Sequence, residues 1–172
     1  MDLKGYIGYM DKLRRPTETL MKMAPADKID WKPAEGNYFT LGQVLEHLST
    51  DLGAEIKGFV TGDWGVELTP EGEFPPEMQV LPPAEKFPCC DPQTALKQLD
   101  KSYRLSKETL AGLSEEDFRS KMVKAPWGVE GPMWSMLLSA LEHLINHKYQ
   151  LFFYLKMLGL PVNTYTLYMG EE

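Results

Sequence analysis

Four stretches of the chain carry apolar residues at helical spacing, and connections rich in proline and glycine separate them. From Leu3 to Met23, the residues Leu3, Tyr6, Ile7, Met10, Leu13, Thr17, Leu20 and Met21 recur three and four apart. Pro16 lies inside this run and is expected to kink or split the helix. The second helix runs from Leu41 to about Val60, with Leu41, Leu45, Leu48, Leu52, Ile56 and Phe59 as its apolar stripe. Thr40 and Gln43, three residues apart, form a capping box ahead of it. The third opens at Asp91-Pro92, an N-cap with proline at the first helical position, and Gly112 ends it. Its stripe is Leu96, Leu99, Tyr103, Ser106 and Leu110. The fourth opens near Gly131-Pro132 and runs to about Leu158, where Gly159 and Pro161 stop it. It is apolar on most of its circumference (Trp134, Leu137, Leu138, Leu141, Leu144, Ile145, Leu151, Phe152) and is expected to be the most buried. The pattern predicts one all-α domain over residues 1–172, a four-helix bundle with long crossover loops rather than a tight up-down bundle.

The connections differ in character. Residues 61–90 hold six of the thirteen prolines together with Gly62, Gly65 and Gly72, and a connection of that length is usually functional or mobile. A short β-hairpin around Val66 to Phe74 fits within it. Residues 114–131 have room for a short helix over Ser114 to Phe118.

Composition narrows the class of function. A chain of 172 residues suits one domain that needs neither disulfide nor metal to fold. Its net charge of −7 repels phosphate backbones and anionic lipid, so nucleic acid and membrane are poor partners and a small molecule is the better expectation. Met1 to Met10 shows no basic region followed by an apolar run. The greasiest stretch, Met133 to Leu160, is interrupted by Glu142, His143, His147 and Lys148 and falls short of the ~18 apolar residues of a membrane helix. The expected compartment is the cytoplasm. Cys89 and Cys90 are adjacent; a disulfide between them would close a strained ring, so two free thiols are expected.

The candidate chemistry lies in the three histidines. His143 and His147 are four apart and project from one face of the fourth helix. His47 sits in Leu45-Glu46-His47-Leu48, a near copy of Leu141-Glu142-His143-Leu144. If the two helices are neighbours, three imidazoles can share one divalent metal and leave a coordination position open. His47 points about 120° from the centre of its helix's stripe, at about 100° per residue, which suits the edge of a cleft rather than the core. Other readings fail. Leu144 stands where a zincin needs its glutamate, and no Glu-x-x-His pair supports a di-iron bundle. Neither a phosphate-binding glycine loop nor a G-x-S-x-G elbow is present.

The segments Phe39-Thr40-Leu41-Gly42-Gln43-Val44-Leu45-Glu46-His47-Leu48 and Leu141 to Leu151, followed by Tyr154 to Gly159, resemble the DinB/YfiT-like family of metal-dependent enzymes. Asp30-Trp31-Lys32-Pro33 and Pro126-Trp127-Gly128 are similar to further family patterns, and the resemblance covers nearly the whole chain except residues 61–90. It implies a four-helix bundle, a divalent metal (nickel or zinc above all) on His47, His143 and His147, and a homodimer. Some members are transferases or isomerases that use a low-molecular-weight thiol, and many have no assigned reaction.

The expected function is therefore a metal-dependent enzyme, a hydrolase or thiol S-transferase or isomerase. Its three-His site would activate water or a low-molecular-weight thiol against a small electrophile. The alternative is a non-catalytic metal-binding or protein-interaction bundle. Asp51, one turn after His47, is the candidate catalytic residue: an acceptor for a ligand's free ring N–H, a fourth ligand, a general base, or only a surface ion-pair partner. Glu55 falls nearer the apolar stripe and needs a partner, either a cation of the first helix or the site itself. Glu46 and Glu142 read as solvated surface carboxylates. Met136, Ala140, His143, His147, Gln150 and Tyr154 share a face that would line a pocket, with Met136 and Ala140 as core. Trp31, Trp127 and Trp134 either ring an apolar substrate or seal the core.

Overall fold

A computed structural model describes residues 1–79 and 83–171. Its helices are α1 (Leu3–Met23), α2 (Leu41–Thr61), α3 (Pro76–Gln79), α4 (Pro92–Ala111), α5 (Glu115–Ser120), α6 (Met133–Met157) and α7 (Thr164–Met169), with single 3-10 turns at Ala26–Lys28 and Ala84–Lys86. Two short strands, β1 (Met122–Lys124) and β2 (Glu130–Pro132), pair antiparallel between α5 and α6.

Three of the four long helices, α1, α2 and α4, start where their caps dictate. Asp2 accepts from the Gly5 N–H, and Asp91 accepts from the amides of Gln93 and Thr94. The capping box of Thr40 and Gln43 forms in both directions. Pro16 does not split α1: it is buried within one continuous helix. Proline removes only its own bond to the preceding turn. The chain end packs onto that spot so closely that a Cβ on Gly170 would lie 2.9 Å from the Pro16 nitrogen.

The hairpin lies elsewhere than expected. Among the described residues of 61–90 no strand forms; Thr69 and Glu73 close only a turn, with the Glu73 carbonyl accepting from the Thr69 N–H. The strands instead flank Pro126-Trp127-Gly128, where Gly128 takes a φ of +88° to turn the chain back.

Packing follows a ring. α2 lies against α4 and α6, and α1 against α4, α6 and α7. Going round the bundle, the order is α1, α4, α2, α6, so α1 and α2 sit across the diagonal, as do α4 and α6. This is why the connections between them are long. α2 and α4 approach closely at Gly53, where a Cβ would meet the Ser102 carbonyl oxygen at 2.9 Å. The core runs along the shared axis through Tyr6, Leu45, Leu52, Leu99, Tyr103 and Leu141. Its buried hydroxyls are satisfied: Tyr6 donates to the Leu137 carbonyl and Tyr103 to that of Met10. Lys148 is also buried, donates to the Leu167 carbonyl and so ties α7 to α6. Cys89 is exposed, Cys90 is buried, and both are free. No helix of the described residues is long and apolar enough to cross a membrane.

The adjacency of α2 and α6 carries the consequence for function. It sets the face of α2 that bears His47 against the face of α6 that bears His143 and His147.

Candidate metal centre

The three imidazoles meet. His47 Nε2 lies 3.1 Å from His143 Nε2 and 3.1 Å from His147 Nε2. All three rings are half-buried at the edge of the α2–α6 seam, the cleft-edge position that the helical wheel of α2 indicates for His47.

The opposite nitrogen of each ring is held by an acceptor. His47 Nδ1 is 2.8 Å from Asp51 Oδ2, His143 Nδ1 is 2.7 Å from Glu55 Oε1, and His147 Nδ1 is 2.8 Å from Gln150 Oε1. Carboxylate and amide oxygens accept and cannot donate, so each Nδ1 carries the hydrogen and each neutral ring leaves Nε2 bare. The Gln150 orientation follows from a directed chain. Tyr154 donates its hydroxyl to the Phe39 carbonyl and accepts from Gln150 Nε2, which leaves Oε1 for His147.

Three lone pairs thus face one point. Without a cation such a cluster is repulsive. At metal–nitrogen bonds of roughly 2.0–2.1 Å, neighbouring donors stand about 3.0 Å apart at octahedral angles and about 3.4 Å at tetrahedral ones, and the observed spacing falls between. Asp51 and Glu55 place two carboxylates behind the rings, which matches the charge of a divalent ion. The donor set fits a divalent metal.

The electrostatics of the two α6 rings differ. Burial first, and then the other two imidazoles, push His147 down to about 4, so it is neutral at physiological pH. The hydrogen bond to Glu55 raises His143 above the usual imidazole range, against the pull of burial.

Of the residues singled out from sequence, His47, His143 and His147 converge as expected. Asp51 takes the role of acceptor for His47 and also lies 3.7 Å from His143 Nε2. Glu55 finds its partner in the site and not in a cation of α1. Met136 and Ala140 are core, and Glu142 is exposed. Trp31 packs edge-on against Tyr154, whereas Trp127 and Trp134 stay largely exposed and do not ring the histidines. Glu46 departs from the surface reading: it is half-buried, and Gln98 Nε2 donates to it at 3.1 Å.

A pocket of about 560 Å³ opens beside the imidazoles, with His47 and Asp51 in its wall. Gln43, Glu46 and Thr50 of α2 continue that wall, and Phe74, Glu77, Met78, Phe87 and Pro88 from the long 61–90 connection face it. The cap residue Gln43 builds part of this roof, since its side-chain amide donates to the carbonyls of Ala84 and Phe87. Neither the second role of Gln43 nor the roof is visible in sequence, where residues 61–90 show no periodicity that would place them over the site.

Comparisons with known proteins identify the family and the fold. The profile of the DinB superfamily matches residues 9–151. Three solved structures share the fold. A proposed DinB-family member from Exiguobacterium sibiricum is 21% identical with a TM-score of 0.65, over 95% of this chain and 96% of that one. A DinB-like protein from Bacillus cereus is 18% identical with a TM-score of 0.68, over 94% and 96%. A DinB-like protein from Bacillus subtilis is 19% identical with a TM-score of 0.62, over 92% and 96%. No curated protein matches the chain significantly in sequence.

Proposed function

The chain belongs to the DinB superfamily, and from that premise we propose that it is a metal-dependent enzyme acting on a small electrophilic substrate in the 560 Å³ pocket. One observation carries this reading: three bare Nε2 atoms converge at the pocket wall, each with its Nδ1 locked by a different acceptor. A divalent ion, zinc or nickel as the family resemblance implies, would supply Lewis acidity there and lower the pKa of a water or low-molecular-weight thiol toward neutrality. His47, His143 and His147 would hold the ion. Glu55 and Gln150 fix the rings of α6, and Asp51 fixes that of α2 while standing on the pocket wall, where it accepts the proton that the nucleophile releases. The half-open position of the imidazoles favours catalysis over a closed structural site, which would surround its metal with four protein ligands.

The test is a protein purified without a His tag, assayed for metal content and then for turnover of ester and epoxide or haloaromatic electrophiles, with and without added thiols. Stoichiometric divalent metal is expected, with turnover that Asp51→Asn lowers by about 10²–10⁴-fold while metal content is kept. A protein that carries no metal, or whose turnover ignores both chelator and Asp51→Asn, contradicts the reading.

Acid weakens the metal. His143 must be neutral to ligate, and Glu55 raises its proton affinity in the free site, so a proton competes from a higher pH than for an ordinary imidazole. Zinc affinity, titrated against a competing chelator, is expected to be flat at alkaline pH and to fall as pH drops through the raised His143 value. An affinity that rises on acidification would contradict this assignment.

A further inference from the structure

We propose that Glu46 makes the pocket selective for small molecules with an apolar body and a cationic end, and that anionic molecules are excluded; this rests on the pocket being the substrate site proposed above. Glu46 is held in place by a neutral donor. Gln98 Nε2 donates to its Oε1, and Gln98 Oε1 accepts from the buried Ser49 hydroxyl. Many acidic side chains elsewhere pair with a cation, as Glu18 does with Arg14, Asp63 with Lys57 and Glu73 with Lys124. Among the described residues no lysine or arginine bridges Glu46.

The rest of the pocket agrees. Its described walls bear the carboxylates of Glu46, Asp51 and Glu77 and no lysine or arginine, beside the apolar surfaces of Phe74, Met78, Phe87 and Pro88. Asp51 and Glu55 are committed to the imidazoles and offset a divalent charge, so Glu46 and Glu77 set the sign of the field that a substrate meets. A volume of about 560 Å³ is that of a small-molecule site, with the apolar walls for the body and Glu46 for orientation. An ammonium or guanidinium group gains a charge-assisted bond there, whereas a carboxylate meets like charge.

Calorimetric titration of the zinc-loaded and the metal-free protein with benzylguanidinium, 2-phenylethanol and 3-phenylpropionate tests this; the first probe carries N–H donors and no lone pair for a metal, and the anion is read on the metal-free protein because its carboxylate would ligate zinc. The cation is expected to bind about tenfold more tightly than the alcohol, and the anion more weakly than either. Glu46→Gln, which keeps a partner for Gln98, is expected to bring the cation to within about threefold of the alcohol with zinc content and melting temperature unchanged. Equal or tighter binding of the alcohol or the anion, no binding of the cation at millimolar concentration, or a cation preference that survives Glu46→Gln overturns the proposal. Zinc content is measured on the same sample. A wild-type protein without zinc contradicts the metal reading alone, and the cation preference is then read on the metal-free protein, where the pocket carboxylates persist.

Discussion

His143→Ala is expected to lose stoichiometric zinc or nickel while keeping the helical fold. A structural zinc site yields about 10–16 kcal/mol over four ligands, so one imidazole accounts for roughly 3–4 kcal/mol, or about 10²–10³-fold in affinity. The effect on the metal-free protein is smaller. His143 is half-buried at the edge of the seam and its removal opens no cavity in the core, but Glu55 is left without its partner, at a cost of about 1–3 kcal/mol. Metal content by mass spectrometry and a melt in excess chelator separate the two contributions. Wild type is expected to lose stability in chelator and His143→Ala to be insensitive to it. If both respond alike, or neither does, the imidazoles do not hold a metal.

Glu55→Ala is the second large effect, although Glu55 does not point its oxygens at the ion. Its carboxylate fixes the His143 hydrogen on Nδ1, holds the ring's orientation and supplies one of the two charges behind the cluster. Loss of such an acceptor lowers metal affinity by about 10–100-fold. Glu55→Gln retains an oxygen at the same reach and is expected to recover part of that loss. The ordering wild type, Glu55→Gln, Glu55→Ala in competitive zinc titrations is the readout. Equal affinity in all three would mean that His143 is oriented by packing alone.

The bundle was legible because its signals are local. Thr40 with Gln43, Asp91 with Pro92, and the apolar stripes each act within a turn or two, and the helices begin within a residue or two of where those signals put them. Pro16 escaped that logic: it lies buried within one continuous helix, close against Gly170. The hairpin lies at 122–132 rather than within 61–90, because Gly128 supplies the turn that the strands need. His143 and His147 declare a shared face by their spacing of four. The membership of His47 rests on the packing of α2 against α6 across 96 positions of sequence, which no local pattern encodes and only the family resemblance supplied. Glu55 was recognisable as a carboxylate too close to an apolar stripe to stand alone. Glu46 was not, since its donor Gln98 comes from α4 and has no sequence relation to it.

The most direct measurement is an anomalous-scattering map from crystals of untagged protein, collected on both sides of the zinc and nickel absorption edges. A single strong peak is predicted at roughly 2.0–2.2 Å from the Nε2 atoms of His47, His143 and His147, with Nδ1 of each ring still bonded to Asp51, Glu55 and Gln150. A map without a peak there, in protein grown and purified with both metals available, would contradict it.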